Sequence, residues 1–109
     1  MHRALLVVCL AVSAWAEENP EKLFSAIRAN DLTGLKALLD HGANPNTGDA
    51  RQITPLMYAA EVGSLDAMKL LIARGADANA QNASGSTALM WSVSDAKKVR
   101  LLLDHAADV

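Results

Sequence analysis

Catalysis needs a nucleophile, a base or a metal-binding set that converges, and the candidates in these 109 residues are few. His41 and His105 each follow an aspartate and precede Gly42 or Ala106, residues that end two similar apolar patterns. They therefore stand at matching positions two structural units apart. With helices packed roughly 8–10 Å from one another, the two rings sit on the order of 20 Å apart, too far to share a metal ion. The work expected of each is electrostatic, an imidazole placed at a helix C-terminus among its free carbonyls. Asp40 and Asp104 share one recurring position and Asp77 and Asp108 another, with Asn44 replacing the latter in the first unit. Carboxylates that recur in register serve loops and caps, not an acid–base pair. The serines have cap or turn explanations, and His2 lies in the N-terminal apolar segment. Zinc-type cysteine–histidine spacing, a haem attachment motif, a phosphate-binding glycine loop and a nucleophile elbow are all missing from the sequence. The expectation is a protein that is not an enzyme, with no catalytic, metal or cofactor-binding residues.

The elements that hold these residues follow a 33-residue repeat. Leu23, Leu56 and Leu89 are spaced by 33, as are Leu38 and Leu71, Leu39 and Ile72, Gly42 and Gly75, Asn46 and Asn79, and Thr54 and Thr87. Self-similarity at such a period predicts a stack of like units, here 21–53, 54–86 and 87–109. In the middle unit Thr54 can cap a helix, Pro55 suits its first position, and Leu56, Ala59 and Ala60 give an apolar stripe. Gly63 then permits a tight reversal, Ser64 caps a second helix, and Leu65, Met68, Leu71 and Ile72 form its buried face. Gly75 stands where a helix stop favours a left-handed residue. The polar stretch through Asp77, Asn79, Gln81 and Gly85 to Thr87, the next capping threonine, predicts a projecting turn or hairpin.

Neither flanking unit copies the middle one. The first keeps apolar positions at Leu23, Ala26, Leu32, Leu35, Leu38 and Leu39 but starts on Glu21-Lys22, so it is expected to act as an N-terminal cap. Glu17, Glu18, Glu21, Lys22 and Arg28 would supply its polar outer face. The third has Thr87, Leu89 and an outer stripe of Ala96, Val99, Leu102 and Leu103. It is two residues short, since Ile72 to Leu103 is 31 where Thr54 to Thr87 is 33. The loss is expected in the turn between its helices, with Asp95 taking over the capping.

The stretch TPLMYAA followed by GSLDAMKLLIARGADANA resembles an ankyrin repeat, and the likeness covers residues 21–109. It implies an all-α solenoid of antiparallel helix pairs, each unit carrying a projecting hairpin-like finger. Three departures weaken the pattern locally. The histidine usual after Thr-Pro-Leu is Met57 and Met90, so apolar filling replaces a polar tether. Ala88 replaces the proline, and Ala106 replaces the glycine at the outer-helix stop, which costs about 1 kcal/mol in a left-handed conformation. The third unit should therefore be the frayed one.

The resemblance further implies another protein as partner, bound through the fingers and the concave face of the inner helices. Mapped onto this chain, the first finger offers Asp49, Arg51 and Ile53 near its tip, and the second offers Asn82, Ser84 and Ser86. Tyr58 and Trp91, 33 residues apart, should be neighbours along the inner helices, with Glu61 and Val62 just before the reversal and Arg74 just before the outer stop. The partner-binding candidates are Arg51, Ile53, Tyr58, Glu61, Arg74, Ser84, Ser86 and Trp91. For Tyr58 and Trp91 the competing role is sealing adjacent inner helices, and for Ile53 it is stapling the helix start.

Residues 1–16 differ in kind from the rest. Arg3 precedes nine apolar residues, Ala4 to Val12, and Ala14-Trp15-Ala16 is the small-x-small pattern a signal peptidase accepts, which predicts cleavage between Ala16 and Glu17. Nine apolar residues fall well short of the ~20 needed to cross a bilayer, and Cys9 lies inside the apolar run, so a retained anchor and a lipoprotein are the weaker alternatives. Residues 17–109 then form a repeat domain without cysteine, stabilised by packing, exported to a periplasm or the extracellular space. The leader removes a base and no acid from a chain of net charge −2, which argues against nucleic acid as partner. No membrane association is expected after cleavage. The last unit stops at Asp108-Val109 without a polar closing face, so further repeats or a partner are expected to cover it. An alternative role is the targeting or regulatory arm of a longer exported enzyme whose catalytic domain lies beyond residue 109.

Overall fold

A computed structural model describes residues 20–105. The leader at 1–16 with its cut between Ala16 and Glu17, the acids Glu17 and Glu18, and the positions Ala106, Asp108 and Val109 lie outside the described residues. Within them six helices follow in order: α1 Glu21–Arg28, α2 Leu32–Asp40, α3 Pro55–Val62, α4 Leu65–Ala73, α5 Ala88–Trp91 and α6 Ala96–Asp104. The inner helices α1, α3 and α5 pack side by side, the outer helices α2, α4 and α6 form a second row, and each inner helix also packs on the outer helix that follows it. The architecture is the all-α stack of helix pairs that the 33-residue period implies.

The core runs through the length of the stack. Leu23, Ile27, Leu56 and Ala59 come from the inner row, and Leu35, Met68, Leu71 and Leu102 from the outer row, all buried. Helix starts are fixed by side chains that accept orphan amides. Thr54 Oγ1 accepts from Met57 N (3.3 Å), Ser64 Oγ from Ala67 N (3.1 Å), and Asp95 Oδ1 from Lys97 N and Lys98 N (3.0 and 3.4 Å). Gly42 and Gly75 end the outer helices at φ +97° and +94°. There Ala43 N and Ala76 N reach back to Leu38 O and Leu71 O, satisfying carbonyls that a helix end leaves free.

Several expectations are corrected. Thr87 occupies the capping position but makes no side-chain cap bond. The amide that Thr54 caps in the second unit corresponds to Met90 N, and Met90 N donates to the Thr87 carbonyl instead (3.1 Å). The two-residue deletion does not fall in the turn: α5 spans four residues where α3 spans eight, while the link between paired helices grows from two residues (63–64) to four (92–95). Buried Ser92 closes it, donating from Oγ to Ala88 O (2.8 Å). Gly63 makes the reversal between α3 and α4 in an extended conformation (φ −94°, ψ −170°). Its place is set by close approach, since a β-carbon there would lie 2.8 Å from both Ala59 Cα and Ile27 Cγ2.

The outer stripe of α6 is also rearranged. Leu102 is buried and Val99 half-buried, but Ala96 and Leu103 are exposed, and the other buried side chain is Lys98. Its ammonium donates to the carbonyls of Ala59 (3.4 Å), Ala60 (3.0 Å) and Gly63 (2.9 Å) at the C-terminal end of α3. A cation there meets the carbonyls of the last helical turn and the negative end of the helix dipole. Met57 fills the core as expected at 1% exposure, whereas its counterpart Met90 is 57% exposed, because no described element packs beyond the third unit. The end face of the first unit is not uniformly polar. Glu21 and Lys22 share a groove of about 560 Å³ with Ala26, Ala29, Ala37 and Leu38, and Arg28 turns the other way, toward Tyr58.

Candidate functional site: a concave groove under the fingers

Each finger is a short loop organised by one side chain. Asp49 Oδ1 accepts from Arg51 N (2.8 Å) and Ile53 N (3.0 Å), while Asp49 N donates to Ile53 O (3.1 Å) and Gln52 N to Asp49 O (2.8 Å). Thirty-three residues on, Asn82 Oδ1 accepts from Ser84 N and Ser86 N (both 2.9 Å), Asn82 N donates to Ser86 O and Gly85 N to Asn82 O. Gln52 and Gly85 occupy the same left-handed step, at φ +63° and +81°. Ala83 N donates to Arg51 O (2.9 Å), tying one finger to the next. The sequence placed Asp49 and Asn82 at the tips as contact residues, but their side-chain oxygens hold the loops closed. An Asx residue recurring 33 residues apart, three before a left-handed step, was the signal available.

The first finger and the inner helices enclose a groove of about 370 Å³ that brings together Arg51, Ile53, Tyr58, Glu61 and Trp91. Five of the eight partner-binding candidates therefore converge. Glu21, Phe24, Arg28 and Asp49 complete the lining. Tyr58 is held at its ring and at its hydroxyl: the ring stacks on Phe24 (centroids 4.9 Å apart, planes at 28°), and the hydroxyl accepts from Arg28 Nη1 (3.2 Å). The packing role weighed for Tyr58 is thus real, though its ring partner is Phe24 and the half-buried side chain still lines the groove. Trp91, also half-buried, forms part of the wall and packs against the core cluster. Ile53 does the same from the finger base. Exposed Arg51 and Glu61 have no side-chain hydrogen bond or ion pair among the described residues.

Three candidates lie elsewhere. Ser84 and Ser86 sit on the second finger, where their amides are bound to Asn82, and neither lines this groove. Arg74, at the end of α4, forms an ion pair with Asp40 at the end of α2 and so links neighbouring outer helices. The histidines do what their position implies: Nδ1 of His41 donates to Ala37 O (2.7 Å) and Nδ1 of His105 to Leu101 O (2.9 Å). A second tether between units is Asn46, whose Nδ2 donates to Gly75 O (3.0 Å) and whose Oδ1 accepts from Asp77 N (2.7 Å).

Among the described residues no group of three or more histidines, cysteines, aspartates or glutamates is placed to hold a metal ion. None of the described helices is long and apolar enough to cross a membrane. The groove combines three aromatic side chains (Phe24, Tyr58 and Trp91), aliphatic Ile53 and exposed charges of both signs. No curated protein matches the chain. A family model described as ankyrin repeats, in three copies, matches residues 23–109.

Proposed function

The chain belongs to the ankyrin-repeat family, whose repeats mediate protein–protein interaction, and from that premise we propose that its concave groove holds a segment of another protein. The observation that carries this is the convergence of Trp91, Tyr58, Ile53, Arg51 and Glu61 on one groove, with the two charged groups unpaired among the described residues. The fingers are fixed by backbone bonds to Asp49 and Asn82, so association orders little of the protein. Aromatic walls supply contact area, and Arg51 and Glu61 select the charge pattern of the occupant. The module acts without catalysis, by rigid display.

Export is the second half of the proposal. It rests on Arg3, the apolar run Ala4 to Val12 and the Ala14-Trp15-Ala16 pattern, and it places the partner in the periplasm or outside the cell. Sequencing the N-terminus of the chain recovered from the exported fraction should begin at Glu17; a chain beginning at Met1 and retained in the cytoplasm would refute it. For the groove, the mature chain is used as bait in the exported fraction, beside the Tyr58→Ala/Trp91→Ala double variant. Partner recovery should fall about tenfold or more while far-ultraviolet helicity is kept. Undiminished recovery by the double variant would remove the groove from the interaction, and lost helicity would assign both rings to packing.

A further inference from the structure

Independent of the groove, the outer row of helices carries a basic ladder. Lys36 on α2, Lys69 on α4 and Arg100 on α6 are one helix position seen in successive units, spaced by 33 and then 31 residues, and all three are exposed. Stacking therefore sets them in a line at intervals of roughly 10 Å. Exposed Lys97 adds a fourth cation beside Arg100. None of the four is paired with a carboxylate among the described residues. Asp40, also on this row, is bound to Arg74.

Between α4 and α6 the ladder opens into a cleft of about 230 Å³ lined by Lys69, Lys97, Arg100, Asp104, Leu65 and Leu101. Three cations face one carboxylate, and both leucines are only half-buried. Leu65 belongs to the stripe expected in the core, so its partial exposure in the cleft is a departure from simple repeat packing. We propose that this cleft is a second docking surface, which takes a short acidic protein segment carrying an apolar side chain. The leucines receive the apolar side chain, and Lys69, Lys97 and Arg100 meet the acids flanking it.

Charge complementarity favours a short segment over an extended polyanion. Asp66 in the first turn of α4 and Asp104 at the end of α6 bracket the cations, and the whole chain is net negative at −2. A membrane surface or a nucleic acid would have to lie across those carboxylates, and its phosphates would make no use of the leucines. Only an amphipathic acidic segment uses both halves of the site.

The test is fluorescence anisotropy with a labelled EELLEE peptide and the full chain. Saturable binding should weaken about tenfold or more between ~50 and ~300 mM salt, since exposed ion pairs are screened. A similar loss is expected for Lys69→Glu/Arg100→Glu, whose exposed positions leave the fold intact by circular dichroism, and for the peptide EESSEE. Tyr58→Ala/Trp91→Ala should bind EELLEE as the parent does, which separates this surface from the groove. Absence of binding at low salt, equal binding by the charge-reversed variant, or equal binding of EESSEE would overturn the proposal. So would tighter binding to phosphatidylglycerol vesicles or to single-stranded oligonucleotide than to the peptide.

Discussion

Lys98 occupies the position that Ala67 holds in the second unit, yet it is the residue that closes the end of α3. Its long stem lies in the core while its head reaches three carbonyls, so a base in the middle of KKVR is structural and its neighbour Lys97 is not. Replacing Lys98 by Met keeps the stem and strips the donors, and should cost about 1.5–3 kcal/mol in urea unfolding. Lys97→Met should stay within about 0.5 kcal/mol. Equal effects would show that the three carbonyls gain nothing from the ammonium. Asn46 is the comparable case among the fingers, and Asn46→Ala should cost about 1–2 kcal/mol through the two bonds it loses to Gly75 and Asp77. Asn46 was visible in the sequence as half of a 33-residue pair with Asn79. Lys98 was not, because its role depends on a helix end 35 residues earlier in the chain.

Two elements that look alike in sequence start differently. Thr54 and Thr87 share the repeat position, but only the Thr54 side chain caps its helix, since the amide of Met90 turns to the Thr87 carbonyl in the tighter four-residue α5. Thr54→Ala should therefore destabilise the protein by about 1 kcal/mol, and Thr87→Ala by no more than a few tenths, as read from chemical denaturation. At the other end of the outer helices the glycines behave as the sequence implied. Gly75→Ala places a β-carbon at φ +94° and should cost about 1 kcal/mol, although no atom lies near the added carbon. Cap and stop signals were legible because they are bonds between residues two to five apart, which local sequence dictates. The length of α5 was not legible, because a two-residue deletion can be absorbed by a turn or by a helix; here the helix gives up four residues and the link after it gains two, with buried Ser92 bonded back to Ala88.

Among the described helices the main packing runs between elements of the same or adjacent units, so stability should be graded along the stack. Leu71 lies in the middle with no exposed surface, and Leu71→Ala should cost about 2–5 kcal/mol, with loss of cooperative folding as the visible consequence. The third unit has the shortest helix, and it exposes Met90, Val93 at 76% and Leu103 at 42%. Its amides in α5 should exchange with solvent before those of α3 and α4; uniform protection across the described helices would contradict a graded stack. The same neighbour-to-neighbour logic assembles the groove, which draws on α1, the first finger, α3 and α5.

The sequence by itself determined the repeat, the order and caps of most helices, the left-handed stops and five residues of the groove. Each is either a local hydrogen-bonding pattern or a position defined by the 33-residue offset. Only the tertiary structure decided that Tyr58 stacks on Phe24 and receives Arg28, that Arg74 is engaged by Asp40, and that Lys98 is buried against α3. Those pairs join residues that are not repeat equivalents. Their meeting depends on how far one helix is rotated against the next and how far each side chain reaches, quantities that stacking fixes and periodicity does not.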